Sequence, residues 1–181
     1  MTMMGAIDFS ILTRIRVDFG YLSAVELYYP NMGNIGDEIM PSCTFFGHRD
    51  APESIRPQLH AALLNLISRK GIDTFYVGNQ GHFDSMVLSE LRSICQTCPG
   101  VQYAVVLAYL PGDSLPHGLD EIPTMFPEGL ESVPRRYAIS RRNEWMVRHS
   151  DYVVTYITHN WGGASKFRDM AAKSGKVIVE L

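Results

Sequence analysis

Asp151-Tyr-Val-Val-Thr-Tyr-Ile157 runs directly into Thr158-His-Asn-Trp-Gly-Gly-Ala164. An apolar, β-branched run that meets paired glycines reads as a buried strand ending in a tight turn. A helix-like stretch follows from Ser165 to Lys173, and a last strand from Val177 to Leu181. Strand, glycine turn, helix and strand make a βαβ unit, with the helix N-terminus facing whatever lies beyond the strand. Free amide hydrogens and the positive end of the helix dipole favour phosphate or carboxylate there.

Working outward, the same alternation recurs from Cys43 onward. Cys43-Thr-Phe-Phe46 reads as the first strand, and Asp50 or Ser54 as a cap for a helix reaching Lys70. Leu59, Leu63, Leu66 and Ile67 form its apolar stripe, and Gly71 its stop. Thr74 to Val77 is a second strand, and Gly78-Asn-Gln-Gly81 turns the chain into a helix from Phe83 to Thr97. Gln102 to Leu110 lacks alternation and so reads as a central strand covered on both faces. Residues 111–134 carry five prolines and read as a long loop before a short helix, Ser140 to His149. Repeated βα units imply an α/β, Rossmann-like three-layer sandwich with a mostly parallel sheet.

Composition narrows the classes. A length of 181 residues suits one self-sufficient core, and the net charge of -3 speaks against a surface that coats nucleic acid. Residues 1–39 hold five acids and two bases, against fourteen of each in residues 40–181. The first 39 residues read as an atypical extension that packs poorly, with Met40 a sensible start for the domain; a hairpin added to a sheet edge is the alternative. Three cysteines make no even disulfide framework, so a cytoplasmic setting is expected. Cys95 and Cys98 read as two packed thiols. Cys95-Gln-Thr-Cys98 has metal-like or redox-like spacing but lies late in a helix with no second ligand pair nearby, and the six histidines show no metal spacing. No apolar run approaches the roughly 20 residues that span a bilayer.

Three loops follow strand ends and are expected to meet in one crevice at the point where strand order reverses. Gly47-His48-Arg49 offers a sharp turn and a guanidinium fork suited to an anion; Arg49 capping a helix or pairing with Asp50 is the plainer reading. Gly78, Asn79, Gln80 and Gly81 allow close backbone approach. Asp84 suits a ribose hydroxyl, or simply complements its own helix dipole. Asn160, Trp161, Gly162, Gly163 and Ala164 form the third loop, where Trp161 either stacks on a base or lies as a lid on the core. Arg142 and Asn143, opening the short helix, project into the same crevice or form a solvated basic face.

Together, Thr44-Phe-Phe-Gly-His-Arg-Asp50, Val77-Gly-Asn-Gln-Gly-His-Phe-Asp84, Arg141-Arg-Asn-Glu-Trp-Met146 and Ser150-Asp-Tyr-Val-Val154 with Trp161-Gly-Gly-Ala164 resemble the SLOG superfamily. This Rossmann-like group includes the YpsA-like proteins, the DNA-processing protein DprA and the lysine decarboxylase-like LOG phosphoribohydrolases. Within it, the likeness is closest to the small YpsA-like bacterial proteins, over about residues 42–181. The resemblance implies a pocket for a nucleotide-derived ligand such as ADP-ribose or NAD, and requires no cofactor. It also implies a departure. LOG enzymes carry Pro-Gly-Gly-x-Gly-Thr-x-x-Glu, and if Gly163-Ala164 corresponds to its Gly-Thr, Phe167 stands where the glutamate acts.

The expectation is therefore a domain that binds or senses a small nucleotide derivative, with a homodimer allowed and no membrane partner. The alternative is a nucleotide N-glycosidase using Asp84 or Glu128. Single-strand DNA binding, as in DprA, is disfavoured by the balanced charge of residues 40–181.

Overall fold

The computed structural model describes residues 41–110 and 122–181, and the reading of residues 1–39 lies outside them. Six parallel strands form one sheet in the order β4-β3-β2-β1-β5-β6. They are β1 (Ser42–Gly47), β2 (Thr74–Val77), β3 (Gln102–Val106), β4 (Thr124–Met125), β5 (Tyr152–Tyr156) and β6 (Val177–Glu180). Helices α1 (Arg56–Lys70) and α2 (His82–Thr97) join the strands of one half, and α3 (Arg135–Arg148) and α4 (Gly163–Lys173) those of the other. The α/β, Rossmann-like three-layer fold is therefore as the sequence implies, with every strand pairing parallel.

Neighbouring residues of one strand serve opposite layers, as a period of two requires. Phe45 and Val154 pack with Leu59, Leu63, Phe83 and Leu91 beneath α1 and α2. Phe46 and Val153 pack with Met146, Phe167 and Ala171 beneath α3 and α4. The chain moves outward from β1 to β4, then returns to lay β5 against the free side of β1, in register from Cys43 opposite Tyr152 to Gly47 opposite Tyr156. Strand order reverses there, so the chain leaves β1 and β5 towards opposite layers and a crevice lies beyond their carboxyl ends.

Four expectations are corrected. Neither Asp50 nor Ser54 caps a helix: a 3-10 turn at Glu53–Ile55 leads into α1, whose start Pro57 favours because its missing N–H would be unpaired anyway. Gly71 does end α1 in a left-handed conformation, φ 66°. The apolar run from Gln102 gives an inner strand, β3, between β2 and the two-residue edge strand β4, but it stops at Val106 rather than Leu110, while Leu107 and Ala108 stay buried beyond the ladder. The stretch taken as loop contains β4 and a 3-10 turn, Leu130–Ser132. Finally, α3 starts at Arg135, just after Pro134, rather than at Ser140. Its inward positions are Ala138, Arg142 and Met146, so a charged residue interrupts the apolar stripe and hides the helix's first turns from periodicity.

Among the described residues no helix is long and apolar enough to cross a membrane.

Candidate functional site

The crevice between β1 and β5 opens into a cavity of about 340 Å³, within the size range of small-molecule sites. Gly47, His48 and Arg49 reach it from the end of β1, and Gly78, Gln80 and Asp84 from β2 and the start of α2. Arg142 and Asn143 reach it from α3, and Trp161, Gly162, Gly163 and Ala164 from the loop into α4. The three loops thus converge as their positions after strand ends imply. Asn79, Gly81 and Asn160 are not on its wall. Gly81 instead packs behind it: at φ 125°, a Cβ there would lie 2.8 Å from Arg49 Cγ, so the second loop braces the first.

Arg142 is the largest fully buried side chain of the described residues, 1% exposed. It sits in the middle of α3, not at its opening, and is no part of a solvated basic face. Its Nη1 donates to the Val106 carbonyl at 2.9 Å, while Nε has no partner. Burial pushes the guanidinium below its ordinary pKa, and the Asp84 charge works against that shift. Gly78 marks the meeting of these two groups: a Cβ there would run into the Asp84 carboxylate and lie 2.9 Å from Arg142 Nη1. Asp84 itself accepts the Gln80 N–H at 2.7 Å. Desolvation raises its pKa above the usual carboxylate range, with the Gln80 bond, Arg142 and Arg49 pulling the other way.

Gly47, on the cavity wall, also has a packing cause, because a Cβ would enter the Phe83 ring. Arg49 is exposed and makes no ion pair among the described residues, so the pairing with Asp50 is not formed. Gly162 (φ 96°) precedes the first turn of α4, which has no side-chain cap. Around both Gly162 and Gly163 a Cβ would meet nothing within 4 Å. Trp161 is 72% exposed, which removes the reading of a core lid.

Sequence reasoning missed Asp50, Ile139, Met146 and His159 on the wall. Ile139 and Met146 share an α3 face with Arg142 and Asn143, a signal that a helix drawn from Arg135 would have given. His159 stacks between two other rings: its centroid is 3.6 Å from His48 and 3.8 Å from Trp161. Burial first, then the neighbouring His159, lowers the pKa of His48, while Asp50 acts to raise it. Glu128 is exposed and off the cavity wall. Phe167 is buried against Phe46, ring centroids 5.4 Å apart. Cys95 and Cys98 are free thiols and are not on the cavity wall.

No protein-family model matches this chain, and no curated protein matches it.

Proposed function

We propose that this chain binds or senses a nucleotide-derived small molecule in the crevice between β1 and β5, as a SLOG-like domain. One observation carries the reading: the open glycine turn at the uncapped start of α4 and the buried, partly unpartnered Arg142 line one cavity at the switch in strand order. An anion suits the α4 amides and the guanidinium groups. Two arginines, Arg49 and Arg142, share the wall with two aspartates, Asp50 and Asp84. A ligand with both an anionic group and hydroxyls suits this mixture better than a bare anion does. Micromolar affinity takes about 8 kcal/mol. A helix terminus contributes up to about 2 and a charged hydrogen bond about 1.5–3, so several of these elements must act at once.

Thermal shift with ADP-ribose, NAD and AMP tests the proposal. Saturable stabilisation that disappears in Arg49→Ala supports it, and no shift at millimolar ligand refutes it.

A second reading, N-glycosidic cleavage of a nucleotide, is favoured by one feature only. Asp84 is a partly buried carboxyl on the cavity wall whose pKa desolvation raises, as a general acid requires. Release of free base from AMP, abolished in Asp84→Asn, would establish it; intact AMP after prolonged incubation at high protein concentration would end it.

A further inference from the structure

The loop between β5 and α4 carries an exposed tryptophan that is nevertheless held in place. Trp161 lies nearly parallel to His159, at an interplanar angle of 14°, and His159 lies on His48 at 26°. Two hydrogen bonds lock this stack. The Trp161 carbonyl can only accept, so His159 Nδ1 donates to it, at 3.0 Å. The His159 backbone N–H donates to His48 Nε2 at 3.4 Å, which an unprotonated Nε2 alone can receive. His48 is 7% exposed and anchored through its own N–H to the Tyr156 carbonyl at 3.2 Å. The innermost ring is thus fixed to the sheet and the outermost is open to solvent, and all three rings line the cavity. A large aromatic surface held rigid at a cavity mouth loses little conformational freedom when something lands on it.

We infer that His48, His159 and Trp161 form a prebuilt stacking platform on which the heteroaromatic base of the ligand becomes the fourth ring, with His159 and His48 as positioning residues for Trp161. This rests on the nucleotide reading and adds to it a selectivity: the ligand carries a flat aromatic ring as well as an anion. It also sets a direction with pH. Protonating His48 removes the acceptor for the His159 N–H and places a cation against the His159 ring. Asp50 would temper that charge, while Arg49 and Arg142 on the same wall would oppose it. Base recognition therefore weakens as pH falls below the ordinary imidazole value of about 6.5.

The test compares AMP with ribose 5-phosphate by calorimetry, since the two share a sugar and a phosphate and differ in the base. The wild-type protein should bind AMP roughly 5- to 150-fold more tightly, the range that stacking on an aromatic ring supplies. Trp161→Ala should erase that ratio and His159→Ala should reduce it, while Trp161→Phe should keep most of it. The ratio should fall between pH 8 and pH 5.5 in the wild type and stay level in His48→Gln, whose amide oxygen accepts without titrating. Phosphate titration, near pH 6, cancels because both probes carry it. Equal affinities for the two probes, or a ratio that Trp161→Ala leaves intact, would overturn the platform while the anion site stands. Binding of neither probe would overturn the nucleotide reading and the platform together.

Discussion

Two glycine loops, Gly78-Asn-Gln-Gly81 after β2 and Asn160-Trp-Gly-Gly163 after β5, look alike in sequence and differ in the fold. In the first the missing side chains are replaced by the protein's own groups. A Cβ on Gly78 would strike Asp84, and one on Gly81 would press on Arg49. In the second the space beside Gly162 and Gly163 is open. The first loop uses glycine to pack the cavity wall, whereas the second leaves the space at a helix N-terminus open. A glycine pair in a sequence signals close approach, but only the fold says by what.

Substitutions separate these roles, and the largest effect belongs to the group the first loop was built around. Arg142→Ala removes the donor to the Val106 carbonyl and leaves Asp84 without its buried counter-charge. It should cost about 3 kcal/mol or more of stability in urea unfolding, together with ligand binding. A loss under about 1 kcal/mol would show that Arg142 is not held as tightly as its burial implies. Gly78→Ala should follow at about 1–3 kcal/mol, the usual cost of overpacking. Gly163→Ala should change stability by no more than about 0.5 kcal/mol, because nothing lies beside it, and yet weaken AMP. If Gly78→Ala and Gly163→Ala behave alike in unfolding, the contrast between the loops fails.

The smallest expected effect is a pH dependence from His48. Its depressed pKa means that the folded state resists protonation more than the unfolded chain does. Stability is then complete above the ordinary imidazole value and is lost as pH falls from there towards the lowered one. His48→Gln should flatten that part of the profile, measured as the unfolding midpoint between pH 8 and pH 5.

The architecture was legible because strands and turns announce themselves locally. β-branched runs ending in glycine gave β2, β5 and the three converging loops. What stayed hidden depended on partners distant in sequence. Arg142 lies on the inward face of α3, and its partners, Val106 and Asp84, lie 36 and 58 positions away in the chain, so an amphipathic pattern would place it outside. β3 reads as too long because its apolar run continues through Leu107 and Ala108, which are buried without belonging to the ladder. The His48–His159–Trp161 stack joins the ends of β1 and β5, which only the returning chain makes adjacent. Gly47 was read as a turn for a ligand, and its tight neighbour is the Phe83 ring.

The contrast between the two loops is tested most directly by titrating AMP into isotope-labelled protein and following backbone amide resonances. The account predicts saturable shifts centred on Gly162, Gly163, Ala164 and His48, with smaller changes at Gly81, which is packed behind Arg49. Shifts confined to the outer face of α2, around Ser89 and Ser93, or none at millimolar AMP, would contradict it.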